Sequence, residues 1–595
     1  MDFILWIERI REIIFIEFLE ESGDDMRKFK SYFLLLFEGL KTFSKANRWG
    51  TFVLVILVPI EALVPTGIIF SIQKVTTELA KGSVFSMSWG IFWAVLLLIS
   101  NIIPPATTAI SGYLTDVLIA NINQKLIDKA SEIKSLEVFE NDEFYNDVET
   151  VRSELSWRPV NLIVFTLSNV RYIISLLSLL VLLFNYTWWL PLAIVIVLVP
   201  QSLIHYRIQQ EAFETLVTRR PEARKMNYLL EIALNRDYAK ESRLFNVFYF
   251  LKKRYWKLFY TVHKEENRIR MRQFGIALIF IIISSLVSMF AFIYLVFQVR
   301  SGKLSLGIVV GFASSLVAAI SASNGLVEES DLLYDTLMWL EKYLKLMRKS
   351  FTESGYKSIT EINQISLDNV SFAYPKENQK VLKSISLGIK KGEKIAIVGQ
   401  NGSGKSTLLK LLADLFTPTS GQILINNEDL REIKHEDYWA KISPVFQDFS
   451  RFKFSVGDSI SFEEKTGVDE ALQFSGLPDL NSELQLGKEF GGTDLSGGQW
   501  QKLAIARAFY KNNVELYLFD EANSALDVHS EKQLYQKLME LSAGATVIWI
   551  THRMTSVKLS DKVIYLDKGK VLGFDSHENL LKNENYASLY REQFE

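Results

Sequence analysis

The sequence predicts a membrane protein in two parts: a six-helix all-α transmembrane domain with long cytosolic helical extensions, followed by an α/β domain built around a phosphate-binding loop. Three observations support this prediction. The 595 residues are 49% hydrophobic and 13% aromatic, a composition that favours a membrane class. Long apolar runs dominate before about residue 330, and short strand-like and helix-like segments alternate after about residue 365. A glycine-rich P-loop lies between a strand-like and a helix-like segment.

Six apolar runs are long enough to cross the hydrocarbon core as helices. They lie at 51–72, 88–110, 161–184, 187–205, 274–298 and 305–326. Two long connections, about 111–160 and 206–273, carry most of the Lys and Arg residues of this half. The positive-inside rule therefore predicts that both connections, and both termini, are cytosolic. The second connection contains no glycine, so helices that continue out of the bilayer are expected there.

The domain boundaries follow from these changes in composition. Residues 1–30 have apolar side chains at helical spacing and are predicted to form an N-terminal amphipathic segment. The transmembrane domain is predicted over 31–345, a linker over 346–364 and the α/β domain over 365–595.

The composition also excludes several classes of protein. The absence of cysteine excludes disulfides, thiolate metal sites and cysteine nucleophiles, and 6 histidines leave little material for a zinc centre. A net charge of -2 argues against a nucleic-acid partner, which would require a strongly basic surface.

The phosphate-binding loop reads GQNGSGKST and follows the apolar run 394–398. Its glycines allow backbone N–H groups to turn around phosphates at a helix N-terminus. Lys405 would place a charge on the β and γ oxygens, and the Ser406 hydroxyl would bind Mg²⁺, so ATP and Mg²⁺ are the expected cofactors. The predicted nucleotide-binding residues of this loop are Gly399, Asn401, Gly402, Ser403, Gly404, Lys405, Ser406 and Thr407.

Two carboxylates end the strand-like run 516–519. Asp520 suits Mg²⁺ through a water molecule and also belongs to the nucleotide-binding set. Glu521 can polarise the attacking water as a general base. An acidic turn at the end of a strand, without catalytic function, is the alternative interpretation.

A second glycine-rich turn, LSGGQ at 495–499, opens a helix-like stretch and provides a second anion site. One bound nucleotide needs only one phosphate cradle. The additional site therefore indicates the nucleotide of a second subunit.

Together, the P-loop, the LSGGQ turn and the Asp-Glu strand end resemble the ATP-binding domain of ABC transporters. The six spans with their cytosolic extensions resemble the type IV, multidrug-exporter-like membrane domain, and the resemblance covers about residues 31 to 595. It implies an α/β P-loop ABC ATPase domain that closes head to tail with a second copy over two ATP molecules. The residues that would contact the partner's ATP are Ser496, Gly497, Gly498 and Gln499.

The resemblance also assigns roles to residues outside these motifs. Tyr374 is similar to the aromatic residue that stacks on adenine, and Asp527 to the loop that couples the two ATP sites. The catalytic residues would be Glu521, His552 and Gln447, with His552 on the γ-phosphate. The metal ligands would be Ser406, Gln447 and, through water, Asp520. The alternatives are a core tyrosine at 374, a loop glutamine at 447 and a structural histidine at 552.

One departure from the family pattern follows the catalytic glutamate. Ala522 and Asn523 stand where Pro and Ser or Thr are usual, so the rigidity of this turn is in question. Because Glu521 and the LSGGQ turn are both intact, two identical chains would form two complete sites. A C2 homodimer is therefore expected.

Glu61 and Arg171 place ionisable side chains within the predicted spans, and Asn101 lies in the second span. Ionisable groups at this depth are costly, so they usually face protein or water. They are candidates for the lining of a hydrated substrate cavity. The alternative is that Glu61 and Arg171 pair with each other or reach towards the membrane surface.

The amino-acid sequence around Gln447 and around Ser496 most resembles that of exporters of lantibiotics and related ribosomal peptides. The resemblance then implies an ATP hydrolase and translocase that exports a modified, ribosomally made peptide across the bacterial cytoplasmic membrane by alternating access. Its expected partners are a second copy, the peptide and membrane lipid, with peptide-modifying enzymes as a further candidate. The alternatives are a multidrug or lipid exporter of the same fold and a nucleotide-gated regulator or channel that does not pump.

Overall fold

The computed structural model describes residues 35, 39, 47–80, 87–192, 195–196, 221–351, 355–377, 379–462, 466–521 and 544–591. The chain forms two compact units. One comprises Met1–Ile127 and Asp147–Arg348, and the other Asp128–Asn146 and Lys349–Glu595. The segment Asp128–Asn146, which the sequence places in the transmembrane domain, thus groups with the second unit. The predicted amphipathic segment 1–30 lies outside the described residues.

The first half of the chain is helical over its described residues. Its helices are α1 (Arg48–Ala80), α2 (Met87–Ser131), α3 (Asp142–Glu154), α4 (Arg158–Phe184), α5 (Pro221–Leu234), α6 (Ala239–Leu244), α7 (Phe248–Arg300) and α8 (Leu306–Arg348).

Five of these helices, α1, α2, α4, α7 and α8, are long and apolar enough to cross a membrane. They correspond to five of the six predicted spans. The remaining predicted span, 187–205, lies mostly outside the described residues. The first part of the predicted fold class, a region of several apolar helices, is confirmed.

Helices α1, α4 and α8 pack closely together. Leu54 of α1, Leu162 of α4 and Leu337 of α8 are buried in one apolar cluster. Near the opposite end of α8, glycine is required at 307, because a Cβ there would lie 2.1 Å from the Thr77 hydroxyl oxygen and 2.2 Å from the Gln73 carbonyl oxygen. These contacts fix the three helices against each other, because such interiors leave no room for an added methyl group.

The described residues of the second unit form two sheets. Its strands are β1 (Gln364–Phe372), β2 (Leu382–Lys390), β3 (Lys394–Val398), β4 (Ser420–Ile425), β5 (Glu428–Asp429), β6 (Ile442–Val445), β7 (Leu516–Asp520), β8 (Thr546–Ile550), β9 (Lys562–Asp567) and β10 (Lys570–Asp575). An antiparallel sheet has the order β2-β1-β4-β5, and a larger sheet has the order β10-β9-β3-β8-β7-β6. In the larger sheet all neighbours are parallel except β9 and β10.

Over its described residues, this unit has the helices α9 (Lys405–Leu412), α10 (His435–Lys441), α11 (Val456–Ser461), α12 (Val468–Ser475), α13 (Gly497–Tyr510), α14 (Met554–Val557), α15 (His577–Leu580) and α16 (Glu584–Arg591). Helices α9, α10, α13 and α15 contact strands of the larger sheet, whereas α11 and α12 pack on α13. Strands β3, β7 and β8 are apolar and almost completely buried, as expected for a parallel sheet covered on both faces. The α/β part of the predicted fold class is also confirmed.

The segment Asp128–Asn146 lies against the rest of the second unit. A short 3₁₀ helix, Leu136–Val138, donates the N–H of Leu136 to the carbonyl of Leu415 at 2.9 Å. The Glu137 side chain accepts the N–H of Thr417 at 2.8 Å. The tip of the first long connection is therefore held by backbone groups of the α/β domain.

Candidate active site

Four parallel strands place the predicted chemical groups at one edge of the larger sheet. Strand β3 leads into the P-loop, β6 into Gln447, β7 into Asp520 and Glu521, and β8 into His552. Because β3, β8, β7 and β6 are consecutive and parallel, their carboxyl ends lie side by side. This edge is where open α/β sheets bind their ligands.

The P-loop turns sharply between β3 and α9, and glycine is required at two points. At Gly399 a Cβ would lie 2.0 Å from the carbonyl oxygen of Leu566. Gly404, which caps α9, has a φ of 101°, a left-handed conformation that disfavours other residues. Asn401 and Gly402 form the outer, exposed part of the turn.

Lys405 is buried at the start of α9, and its ammonium group donates to the carbonyls of Gly399 and Gln400 at 2.9 and 3.0 Å. Burial lowers the pKa of Lys405, and the nearby carboxylates of Glu521 and Asp520 oppose this shift only in part. The cation is thus held inside the loop by backbone oxygens, at the position where a phosphate would bind.

The donor set beside Lys405 fits Mg²⁺. Asp520 is buried and accepts a hydrogen bond from Ser406. Burial raises the pKa of Asp520, the Ser406 bond opposes this rise, and the neighbouring Glu521 adds to it. The Oδ1 atom of Asp520 and the hydroxyl of Ser403 are buried without a hydrogen-bond partner among the described residues. Unsatisfied oxygen ligands of this kind suit Mg²⁺ bound together with phosphate oxygens.

Glu521 is bound by two side chains from neighbouring strands. His552 Nε2 lies 2.5 Å from one carboxylate oxygen, and Gln447 donates its amide to the other at 3.2 Å. The structure therefore brings together the three residues that the sequence selected as catalytic. Glu521 has a φ of 45°, unusual for a residue with a side chain, and such strain is concentrated at functional sites.

The turn after Glu521 cannot be compared with the sequence expectations. Ala522, Asn523 and Asp527 lie outside the described residues. The roles expected for that turn and for Asp527 remain predictions.

Tyr374 occupies a position between the core and the P-loop helix. Its ring packs edge-on against Phe372 and Phe416 at centroid distances of 5.0 and 5.5 Å. Its hydroxyl lies 3.1 Å from the hydroxyl of Thr407. The residue thus contacts both the apolar core and the predicted nucleotide-binding set.

The LSGGQ turn forms a closed cap at the start of α13. Ser496 accepts the N–H of Gln499 at 3.3 Å, and the Gln499 side chain accepts the N–H of Ser496 at 2.9 Å. This reciprocal capping box fixes the turn. Ser496, Gly497 and Gln499 are exposed, and Gly498 is half-buried. Both capping bonds stay within the turn, so neither of them joins it to the P-loop of the same chain.

Sequence reasoning missed Gln501. This residue is buried on α13, and its amide donates to the backbone carbonyl of Glu521 at 3.4 Å. It therefore links the LSGGQ helix to the end of β7. A polar residue within an otherwise apolar helix face was the available signal, since buried amides need partners.

In the first unit, Glu61 and Arg171 form an ion pair, with Arg171 Nη1 2.7 Å from Glu61 Oε1. The pairing alternative is thus the observed one. Asn101 is exposed and donates to the Leu97 carbonyl of its own helix at 2.7 Å. The three residues therefore do not form one cluster, and a role for them in a cavity remains a prediction.

Comparisons with known proteins identify the family of the chain. A family model described as ABC transporter matches residues 382–524. The subtilin transport ATP-binding protein SpaT of Bacillus subtilis is 30% identical over an alignment of 501 positions that covers 79% of this chain and 81% of SpaT. The nisin transport ATP-binding protein NisT of Lactococcus lactis is 28% identical over an alignment of 602 positions, gaps included, that covers 96% of this chain and 99% of NisT.

A solved structure of a bacterial Atm1-family ABC exporter with ATP bound has the same fold. Its TM-score is 0.74 at 20% identity, and the match covers 92% of this chain and 98% of that one. The parallel-sheet edge, the helical first half and the extended similarity to SpaT together show that the chain belongs to the ABC transporter family, whose members couple ATP hydrolysis to transport.

Proposed function

We propose that the protein is a homodimeric, ATP-driven exporter of a modified, ribosomally made peptide in the cytoplasmic membrane of a bacterium. Its α/β domain and both termini are cytosolic in this proposal. The observation that carries it is the meeting of Lys405, Asp520 and Glu521 at one sheet edge, in a chain whose described residues include five helices long enough to span a membrane.

The proposed chemistry assigns one task to each group at this edge. Lys405 and the loop amides bind the β and γ phosphates, while Tyr374 stacks on the adenine. Ser406, Asp520 and Gln447 hold Mg²⁺, which would supply positive charge to the transferring phosphoryl group. Glu521 takes a proton from the attacking water, and His552 orients that carboxylate and contacts the γ-phosphate.

Homodimerisation is supported by two features of the single chain. The exposed Ser496 turn is a second anion site that one nucleotide does not need. In addition, the end of α6 exposes Leu244 and Phe245 at 81% and 75% of their surface. Apolar side chains exposed together indicate an interaction site. We assign the Ser496 turn to the partner's ATP and the α6 tip to the partner's α/β domain, with Asp527 coupling the two sites.

The peptide substrate is supported by the relatives rather than by a cavity. SpaT and NisT are named as transporters of subtilin and nisin, and the similarity to each covers both units of this chain. We expect a cationic, amphipathic peptide, delivered by peptide-modifying enzymes.

The experiment that tests the substrate class measures ATPase activity of the full-length protein in lipid nanodiscs. The modified precursor peptide is compared with a scrambled peptide of the same composition and with a set of hydrophobic drugs. We expect stimulation by the precursor alone. An equal response to precursor and scrambled peptide, or a response to the drugs only, would remove the peptide assignment and favour a multidrug or lipid exporter.

A further inference from the structure

The segment that follows the P-loop helix joins two parts of the second unit. Helix α9 begins in the P-loop and is 8 residues long, so its two ends lie about 12 Å apart. The next residues, 413–417, which we call the α9 end segment, contact the tip of the first long connection, Asp128–Asn146. The Leu415 carbonyl accepts the N–H of Leu136 at 2.9 Å and the hydroxyl of Ser135 at 3.4 Å. One end of α9 thus belongs to the phosphate-binding loop, and the other leads into the contact with the tip.

The α9 end segment also contacts the predicted adenine-binding residue. Phe416 is buried, and its ring packs edge-on against Tyr374 at a centroid distance of 5.5 Å. Its chain neighbour Thr417 donates its N–H to Glu137 of the tip at 2.8 Å. Because these residues are adjacent, a displacement of the segment by bound ATP would also displace its hydrogen bonds to the tip.

Helix α10 holds the end of α9 through two side-chain hydrogen bonds. The buried Tyr438 donates its hydroxyl to the Leu412 carbonyl at 2.6 Å. The indole N–H of Trp439 donates to the Ala413 carbonyl at 3.0 Å. Carbonyls at the end of a helix lack intrahelical partners, so these bonds satisfy groups that would otherwise need water or another cap. The end of α9 is therefore fixed to α10.

A third contact of α10 fixes the turn between α9 and Leu415. Nδ1 of His435 is hydrogen-bonded to the carboxylate of Asp414, and the two side chains are 15% and 12% exposed. Asp414 has a φ of 57°, a left-handed conformation that is uncommon outside glycine. Burial raises the pKa of Asp414 and the bond to Asp414 raises the pKa of His435, so both shifts retain the proton that the pair shares. The pair thus stabilises the turn that presents the Leu415 carbonyl to the tip.

Helix α10 contacts the tip as well. Lys134 of the tip lies 2.8 Å from a carboxylate oxygen of Glu436, and its ammonium group lies 5.9 Å from the centroid of the Trp439 ring. The His435 ring in turn packs against the Trp439 ring at a centroid distance of 5.3 Å. The α9 end segment, α10 and the tip therefore form one connected set of contacts, in which α10 holds both of the others.

We propose that His435 and Asp414 are positioning residues through which ATP bound at the P-loop acts on the tip of the first connection. Bound ATP restrains α9 at its P-loop end, and the pair holds the opposite end in the geometry that bonds Leu136. Neither residue belongs to the predicted nucleotide-binding or catalytic groups, so breaking their bond should spare ATP binding and hydrolysis but reduce the response of the tip. The inference rests on the proposed ATP-driven export for its purpose, whereas the response of the tip is measured without a peptide.

The test measures hydrogen–deuterium exchange of the tip in the full-length protein in nanodiscs. Exchange reports local opening, and the N–H of Leu136 is itself bonded to the α9 end segment. Each protein is compared without nucleotide and with a non-hydrolysable ATP analogue and Mg²⁺. For the unmodified protein we expect the analogue to slow exchange of peptides from 128–146 by at least about fivefold, the lower end of typical coupling between sites. Basal and peptide-stimulated ATPase activities are measured separately.

Three variants at two adjacent positions separate the hydrogen bond from packing. His435→Phe keeps a ring beside Trp439 and removes the bond, so the effect of the analogue on the tip should fall to less than about twofold. Its basal kcat and its KM for ATP should change by less than about twofold. His435→Asn places an amide N–H near the position of Nδ1 and should retain most of the effect, which a role in ring packing alone would not. Lys434→Gln removes an exposed charge one residue away and should leave the effect unchanged.

The outcomes separate this inference from the proposed function. If His435→Phe retains the full effect at an unchanged melting temperature, or if the analogue binds to the unmodified protein without slowing exchange of the tip, the positioning role is wrong even if peptide is transported. If the effect depends on His435 but no peptide stimulates ATP hydrolysis, the positioning role stands and the export proposal fails. If His435→Phe does not fold, retention of the effect in a folded His435→Asn supports the hydrogen bond as its cause, and loss of the effect there overturns it.

Discussion

One carboxylate oxygen of Glu137 accepts the backbone N–H of Thr417 at 2.8 Å. The two residues are far apart in sequence, and Glu137 belongs to the tip of the first long connection. Because the bond joins a side chain to a backbone group of the α/β domain, it is suited to transmit movement of that domain into the connection. The adjacent backbone bond from Leu136 to Leu415, at 2.9 Å, supports the same attachment.

Replacing Glu137 with Ala should weaken coupling more than ATP binding. We expect peptide-stimulated ATPase activity to fall by about 3- to 10-fold, because a hydrogen bond to a charged group contributes about 1.5 kcal/mol or more. The basal KM for ATP should change by less than about twofold, since Glu137 is not among the predicted ATP contacts. Glu140→Ala, at an exposed position three residues on, is the control. Equal behaviour of the two variants would contradict this coupling role.

Two substitutions of Tyr374 distinguish the contribution of its ring to ATP binding from that of its hydroxyl. Tyr374→Phe loses only the contact with Thr407, so the KM for ATP should change by less than about threefold. Tyr374→Ala loses the ring, so the KM for ATP should rise about tenfold, because the stacking of a ring on a base contributes about 1 to 3 kcal/mol. Steady-state ATPase kinetics measures both. A Tyr374→Ala variant with normal folding and an unchanged KM would leave the ring as part of the core only.

Glu515 should stabilise the α/β domain in a pH-dependent way. Its side chain is 15% exposed and contacts Lys441 at 3.1 Å and Lys391 at 3.4 Å. Burial alone would raise the pKa of Glu515, but the N–H of Ile362, at 2.8 Å, and the two lysines outweigh burial and lower it. The contribution is therefore fully present above the ordinary glutamate pKa of about 4.3 and is lost as the pH falls through the lowered value.

Glu515→Gln should accordingly lower the apparent melting temperature at pH 7 by about 2 to 6 °C, which corresponds to about 1 to 2 kcal/mol. The difference from the unmodified protein should shrink as the pH falls below about 4. Glu361→Gln removes an exposed partner of Lys391 and should change the melting temperature by less than about 1 °C. A shift at pH 7 that persists undiminished in acid would show that packing, rather than charge, is responsible.

Gly307 should be intolerant of substitution. An alanine methyl group there would overlap Thr77 and the backbone of Gln73, and overpacking of this kind typically costs about 1 to 3 kcal/mol. Gly307→Ala should therefore lower the apparent melting temperature and the yield of monodisperse protein. At Gly275, by contrast, an added Cβ meets no atom within 4 Å, so Gly275→Ala should be neutral or slightly stabilising. Equal stability of the two variants would contradict the close approach of α1 and α8.

Much of the fold and of the ATP site could be predicted because the signals are local. The runs of apolar residues are long enough to cross a bilayer as helices. The P-loop lies between a strand and a helix that the sequence pattern predicts. The meeting of Gln447, Glu521 and His552 follows from the parallel order of β6, β7 and β8 together with the family resemblance.

The remaining features depend on partners that sequence does not reveal. Glu137 binds the backbone N–H of Thr417. Because almost every residue carries such a group, the residue type at position 417 does not predict this contact. The sequence leaves open whether Glu61 and Arg171 pair, and the packing of α1 against α4 brings Arg171 Nη1 to 2.7 Å from Glu61 Oε1. Side-chain pairing between helices is decided by their packing, which hydropathy alone does not determine.

The most direct test of ATP-driven export is peptide accumulation in proteoliposomes, with the α/β domain facing the ATP-containing medium. The unmodified protein and the Glu361→Gln control should accumulate the modified precursor peptide when ATP is supplied. Glu521→Gln should bind ATP but lose hydrolysis by at least about 100-fold, as expected for removal of a general base, and should accumulate no peptide. Accumulation at the unmodified rate by Glu521→Gln would contradict the pump and favour a nucleotide-gated channel or regulator.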